Sequence, residues 1–157
     1  IGRDEALARL TTKYFQSHSP ATLDDFVWWT GLNTGDCKRG ILLLGEKLRT
    51  ETCKDCHFYL LDGCRTHGFR KGCTLLLPPF DEYLIGYKSR DVVLAPEHSH
   101  HAHNKSGIFY PVIASDGVIC GNWNPHQNTL HATMFDPNTK INLEKNWQEY
   151  CNQKLKW

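Results

Sequence analysis

The chain lacks any apolar run approaching the ~18–20 residues a membrane-crossing helix needs, so it is not expected to span a bilayer. It also lacks a basic-then-apolar opening segment of the kind that directs export. No repeat, low-complexity tract or block of like charge interrupts it. An excess of one charge sign is missing too: 18 Lys+Arg against 17 Asp+Glu leaves +1, which neither favours nor excludes a polyanionic partner. Methionine is nearly absent, with Met134 alone, and the first residue is Ile1. We therefore expect a portion of a longer chain. An even cysteine count is likewise missing. Seven cysteines do not suit a secreted disulfide framework, and they point to reduced thiols in a cytoplasm.

What is present is a globular composition. The 157 residues are 40% hydrophobic and include five Trp, six Tyr and seven Phe, enough for one substantial core or two small ones. Disorder is excluded on the same grounds.

The first half reads as mainly helical. Leu7, Leu10, Tyr14 and Phe15 fall at helical spacing between Arg3 and Ser17, and His18-Ser19-Pro20 stops the helix. Thr22 to Asp25 forms a capping-box-like start, followed by a short helix that carries Phe26, Trp28 and Trp29. Gly31 suits a left-handed cap. Asn33 and Thr34 begin a third helix, with Cys37, Ile41, Leu44 and Leu48 on its apolar face. His57–Leu61 and Cys73–Leu77 then read as two strands, with Asp62-Gly63 as a tight turn after the first. Three helices followed by two strands is the order of a winged helix.

In the second half, Phe80–Gly86 reads as a short helix or turn. Strands are expected at Ile108–Ala114, Val118–Trp123 and Thr129–Phe135, the first two joined by Ser115-Asp116-Gly117. A helix over Leu143–Leu155 closes the chain. The fold class is therefore α+β: a winged helix over 1–77, then a small antiparallel β-rich unit with a C-terminal helix over 78–157. Residues 1–75 carry 11 basic and 9 acidic side chains, and residues 76–157 carry 7 and 8. The first half is thus mildly basic.

Three stretches resemble the signature segments of one bacterial family. They are Ser19-Pro20-Ala21-Thr22-Leu23-Asp24-Asp25-Phe26-Val27-Trp28-Trp29-Thr30-Gly31-Leu32, then Leu76 to Arg90 (LLPPFDEYLIGYKSR), then Gly107–Val112 with Asp116–Trp123. That family comprises winged-helix DNA-binding proteins, among them DNA glycosylases that unhook interstrand crosslinks and remove alkylated bases. The resemblance covers nearly the whole chain. It implies a parent with tandem winged helices, of which this chain is the C-terminal portion. It also implies double-stranded DNA and the missing N-terminal domains as partners, with weak DNA binding by this portion alone. The family's catalytic Gln-x-Gln or Gln-x-Asp motif lies in the N-terminal part. Gln16, Gln127, Gln148 and Gln153 form no such motif here, so we assign no catalytic residue, and no cofactor or metal. Asn124-Pro125 stands where many relatives carry basic residues.

Candidate DNA contacts follow from placement. Thr34, Lys38 and Arg39 open the third helix, whose N-terminal residues would meet phosphates or base edges. The alternative is a solvated face opposite Ile41 and Leu44. Lys47 and Arg49 suit the helix C-terminal dipole. Lys54, Arg65, Arg70 and Lys71 cluster on or near the wing. Lys88 and Arg90 either face DNA or, for Arg90, pair with Asp81 or Glu82 and fix the loop. Asp116-Gly117 is either a groove probe or a plain connector. Cys53-x2-Cys56 with Cys64 and Cys73 lacks the second short knuckle of a zinc site. His98–His103 reads as an exposed polar loop. Trp28 and Trp29 point about 100° apart on a helix, one to pack in the core and one against a neighbouring domain. Two other functions compete with DNA binding by a repair protein: a protein-interaction module and a transcriptional regulator, the latter needing dimerisation to read two half-sites.

Overall fold

In the computed structural model, Asp4 and Glu5 sit in the first turn of helix α1 (Arg3–His18), where acidic side chains favour the helix dipole. Leu7, Thr11, Tyr14, Phe15 and His18 form its buried stripe at three- and four-residue spacing. The structure describes residues 1–53, 55–65 and 71–154. The chain divides into two units, Ile1–Gly68 with Gly86–Ser89, and Phe69–Ile85 with Arg90–Trp157.

In the first unit, helix α2 (Leu23–Thr30) starts with a full capping box: the Thr22 side chain accepts from the Asp25 amide, and Asp25 accepts from the Thr22 amide. Gly31, at φ 67°, closes it in the left-handed conformation that glycine adopts without penalty. Asn33 caps helix α3 (Thr34–Leu44) by accepting from the Asp36 amide. The core gathers Tyr14, Phe15, Ala21, Phe26 and Cys37, with Ile41, Leu48, Tyr59 and Leu61 packed around them. Helices α1 and α3 approach so closely at Gly40 that a Cβ there would collide with the Thr11 hydroxyl.

The hairpin that follows differs from the expected one. Strand β1 (Leu48–Cys53) pairs antiparallel with β2 (Cys56–Leu61), with Leu48 opposite Leu61. Leu48 therefore begins a strand after a single 3-10 turn and does not extend the helix face. Ala21 and Tyr59 exchange backbone bonds of 3.1 and 2.8 Å, which seats the hairpin on the link between α1 and α2.

The second unit is built on a four-stranded antiparallel sheet in the order β3-β4-β5-β6: Thr74–Leu77, Val112–Ser115, Val118–His126 and Thr129–Met134. Thr74–Leu77, expected to complete the hairpin of the first unit, instead ladders with Val112–Ser115. The division accordingly does not fall at residue 77, and Gly86–Ser89 return to the first unit. Strand alternation sends Val112 and Ala114 to one face and Ile113 to the other. Leu77, Leu84, Leu94, Ala102 and Ile119 cover the first face. Two short helices, α4 (Glu82–Ile85) and α5 (Ser99–Ala102), belong to this unit. Trp123, Leu143, Trp147 and Tyr150, with helix α6 (Glu144–Lys154), cover the second face. No helix among the described residues is long and apolar enough to cross a membrane.

Candidate nucleic-acid interface

Thr34, Lys38 and Leu42 recur every four residues on α3 and are all exposed, so they share one outward stripe. Leu42 is 77% exposed, which makes the stripe partly apolar. Arg39 does not stand free beside them. Its guanidinium grips Asp4 of α1, Nε to Oδ1 at 2.7 Å and a terminal nitrogen to Oδ2 at 2.5 Å. Arg3 of α1 reciprocates with two bonds of 2.7 and 2.9 Å to Asp36 of α3. The hydrogen bond from Arg39 holds the Asp4 carboxyl below the usual carboxylate range, and Asp4 in turn raises Arg39. Two crossed ion pairs thus staple the start of α3 to the start of α1.

Among the described residues, Lys38, Lys47 and Arg49 are exposed and hold no ion pair. They lie on the continuous stretch from α3 into β1. Arg65 is exposed just past β2. Lys54 and Arg70 lie outside the described residues. Lys71 is exposed ahead of β3 in the second unit.

Lys88 and Arg90 are anchored in separate units. The Lys88 ammonium meets Asp24 at 2.7 Å, and its backbone N–H donates to Asp25 Oδ1 at 2.8 Å. Asp25 is only 3% exposed, yet its oxygens are satisfied by the Thr22 amide and hydroxyl and by Lys88. Tyr87 donates from its hydroxyl to the His18 carbonyl at 3.3 Å. Arg90 donates from Nε to the Leu84 carbonyl at 2.6 Å, with its guanidinium 5.0 Å from the Phe109 ring centroid. Asp81 caps α4 through the Tyr83 amide at 2.9 Å.

The Asp116-Gly117 turn is tied down. Asp116 accepts from the Cys73 amide, and the Tyr83 hydroxyl donates to the Gly117 carbonyl at 2.6 Å. Burial raises the Tyr83 phenol. This is the geometry of a structural connector. His98–His103 is not a loop but a 3-10 turn running into α5, with the His98 and His101 rings 4.6 and 5.1 Å from Phe135. Desolvation, then His100 and His98, hold His101 below its usual range. No three potential metal ligands converge among the described residues. Trp28 and Trp29 are 56% and 42% exposed, so neither is buried in this unit. Trp29 still lies against Tyr14, ring centroids 5.4 Å apart.

Stapled helices with a hairpin in one unit, and a four-stranded sheet in the other, define a mixed α+β protein. The profile of the AlkZ-like DNA glycosylases matches residues 2–140, and the chain belongs to that family. It is 32% identical to the interstrand DNA cross-link repair glycosylase of Streptomyces sahachiroi, over 87% of this chain and 38% of that protein. The solved structure of the Streptomyces sahachiroi DNA glycosylase AlkZ superposes with a TM-score of 0.75 and 26% identity, covering 93% of this chain and 41% of that one. The chain thus spans about two fifths of the relatives it matches.

Proposed function

We propose that the chain is the DNA-binding portion of an AlkZ-like glycosylase, with its first unit acting as a winged helix on duplex DNA. Membership of the family over residues 2–140 carries this reading. Three helices followed by the β1–β2 hairpin support it, with Lys38, Lys47 and Arg49 offering unpaired cations to phosphates. Thr34 and Arg65 lie beside this stretch. Arg39 contributes mainly by fixing α3, because its charge is shared with Asp4. Lys71, Lys88 and Arg90 are secondary contacts. The base-excision chemistry belongs to parts of the parent beyond these residues, which are its intramolecular partners, and the compartment is the bacterial cytoplasm. No cofactor or metal enters this reading.

A labelled duplex titrated with the chain at low salt tests it. Anisotropy should rise saturably and fall back as unlabelled duplex of unrelated sequence competes. A flat signal at every protein concentration would overturn it.

The second reading is a protein-interaction module, favoured by the exposure of Leu42, Leu43 and Trp28. Leu42→Lys separates the two. On the DNA reading the added cation keeps or strengthens duplex binding. On the interaction reading it abolishes association with the remainder of the parent and leaves DNA untouched.

A further inference from the structure

Seven free cysteines are distributed unevenly in their surroundings. Cys37 is wholly buried in the helical core. The Cys64 thiol faces the Ser19 carbonyl at 3.8 Å. Cys120 donates to the Ile113 carbonyl at 3.5 Å, and burial pushes its thiol up. Burial thus shields Cys37 and keeps Cys120 protonated, and the thiolate is the reactive form.

Cys53 and Cys56 differ in every respect. Both are exposed, and neither thiol makes a hydrogen bond among the described residues. Cys53 ends β1, Cys56 begins β2, and the two are register partners across the hairpin. Asp55 takes a left-handed φ of 62° between them, as a tight reversal requires. Residues directly opposite in an antiparallel pair have Cα atoms ~4.5 or ~5.5 Å apart. Disulfides accept Cα separations of ~4.4–6.8 Å. Either ladder spacing therefore falls within the Cα range a disulfide accepts.

We propose that Cys53 and Cys56 are a dithiol modification site that closes to an intrachain disulfide by exchange with a low-mass disulfide such as oxidised glutathione. One protein thiol gives up its proton, and the thiolate attacks a sulfur of the low-mass disulfide. That S–S bond breaks and releases one low-mass thiolate, which takes up the proton, leaving a mixed disulfide on the protein. The opposing thiol then loses its proton and attacks the protein sulfur of the mixed disulfide, releasing the second low-mass thiol. Two protein thiols lose two electrons, and the low-mass disulfide is reduced to two thiols. The site does not depend on the DNA reading.

The test uses the whole chain under native conditions, in buffers of graded oxidised-to-reduced glutathione ratio. Free thiols are then alkylated in denaturant and mapped by peptide mass spectrometry. Cys53 and Cys56 should become protected together, in a linked peptide two hydrogens lighter, at ratios that leave Cys37, Cys64 and Cys120 alkylated. In Cys53→Ser, Cys56 should stall as the stable glutathione adduct. The proposal is overturned by separate glutathione adducts on the two residues of the wild type. Disulfides to Cys73 or to a second chain, or full alkylation of both at every ratio, overturn it equally.

Discussion

Asp25 and Lys88 stand 63 positions apart, and the buried Asp25 carboxyl accepts the Lys88 backbone N–H at 2.8 Å. One side chain thereby completes the capping box of α2 and fastens the segment Gly86–Ser89 to the helical unit. Two stretches singled out by their motif pattern meet at a single carboxyl group.

Replacing that group exposes its role. Asp25→Ala removes half of the capping box and leaves the part-buried Thr22 and Lys88 backbone donors without their carboxylate, so it should cost about 1–3 kcal/mol. Urea unfolding measures the loss, and hydrogen exchange at the Lys88 amide should accelerate beyond the global change. A cost below about 0.5 kcal/mol would show that the interaction is dispensable.

The crossing of α1 and α3 makes a second prediction. Gly40→Ala places a methyl group against the Thr11 hydroxyl, which is itself fixed by a 2.7 Å bond to the Leu7 carbonyl. Overpacking of this kind costs about 1–3 kcal/mol. In a Thr11→Ala background the same change should cost less, because the colliding oxygen is gone. Equal costs in both backgrounds, read from melting curves, would locate the strain elsewhere.

The Asp4–Arg39 pair has a pH signature. Asp4 titrates below its ordinary range in the folded chain, so the unfolded chain binds the proton more readily. The stabilisation is present above the ordinary carboxylate range and fades as pH falls through the lowered folded value. Carbon-detected NMR titration of Asp4 should show its midpoint rising in Arg39→Met. An unchanged midpoint would mean that Arg39 does not govern it.

Much of the helical unit was legible because its signals are local. Thr22, Gly31 and Asn33 act within four residues of themselves, and each caps the helix expected of it. Strand partners are not local. Thr74–Leu77 reads as a strand in isolation, but only the pairing with Val112–Ser115 decides its sheet. β1 escaped notice because Arg49–Cys53 is exposed throughout and shows no apolar alternation. The expected basic face of α3 assumed that Arg39 was free. Its partner lies 35 residues upstream, on a helix whose orientation no spacing rule supplies. The helical turn at His98–His103 was hidden by a composition that favours no element strongly.

If cations along α3 and β1 hold duplex phosphates, duplex binding by the wild-type chain must weaken with salt more steeply than binding by Lys38→Ala/Lys47→Ala/Arg49→Ala. Removing each cation that neutralises a phosphate should flatten the slope of log K against log salt by about 1. Anisotropy titrations of both chains across a salt series should therefore give a variant slope shallower by about 2–3. The variant should also bind more weakly at low salt while keeping its thermal stability. Identical slopes and affinities for the two chains would show that these cations do not hold DNA.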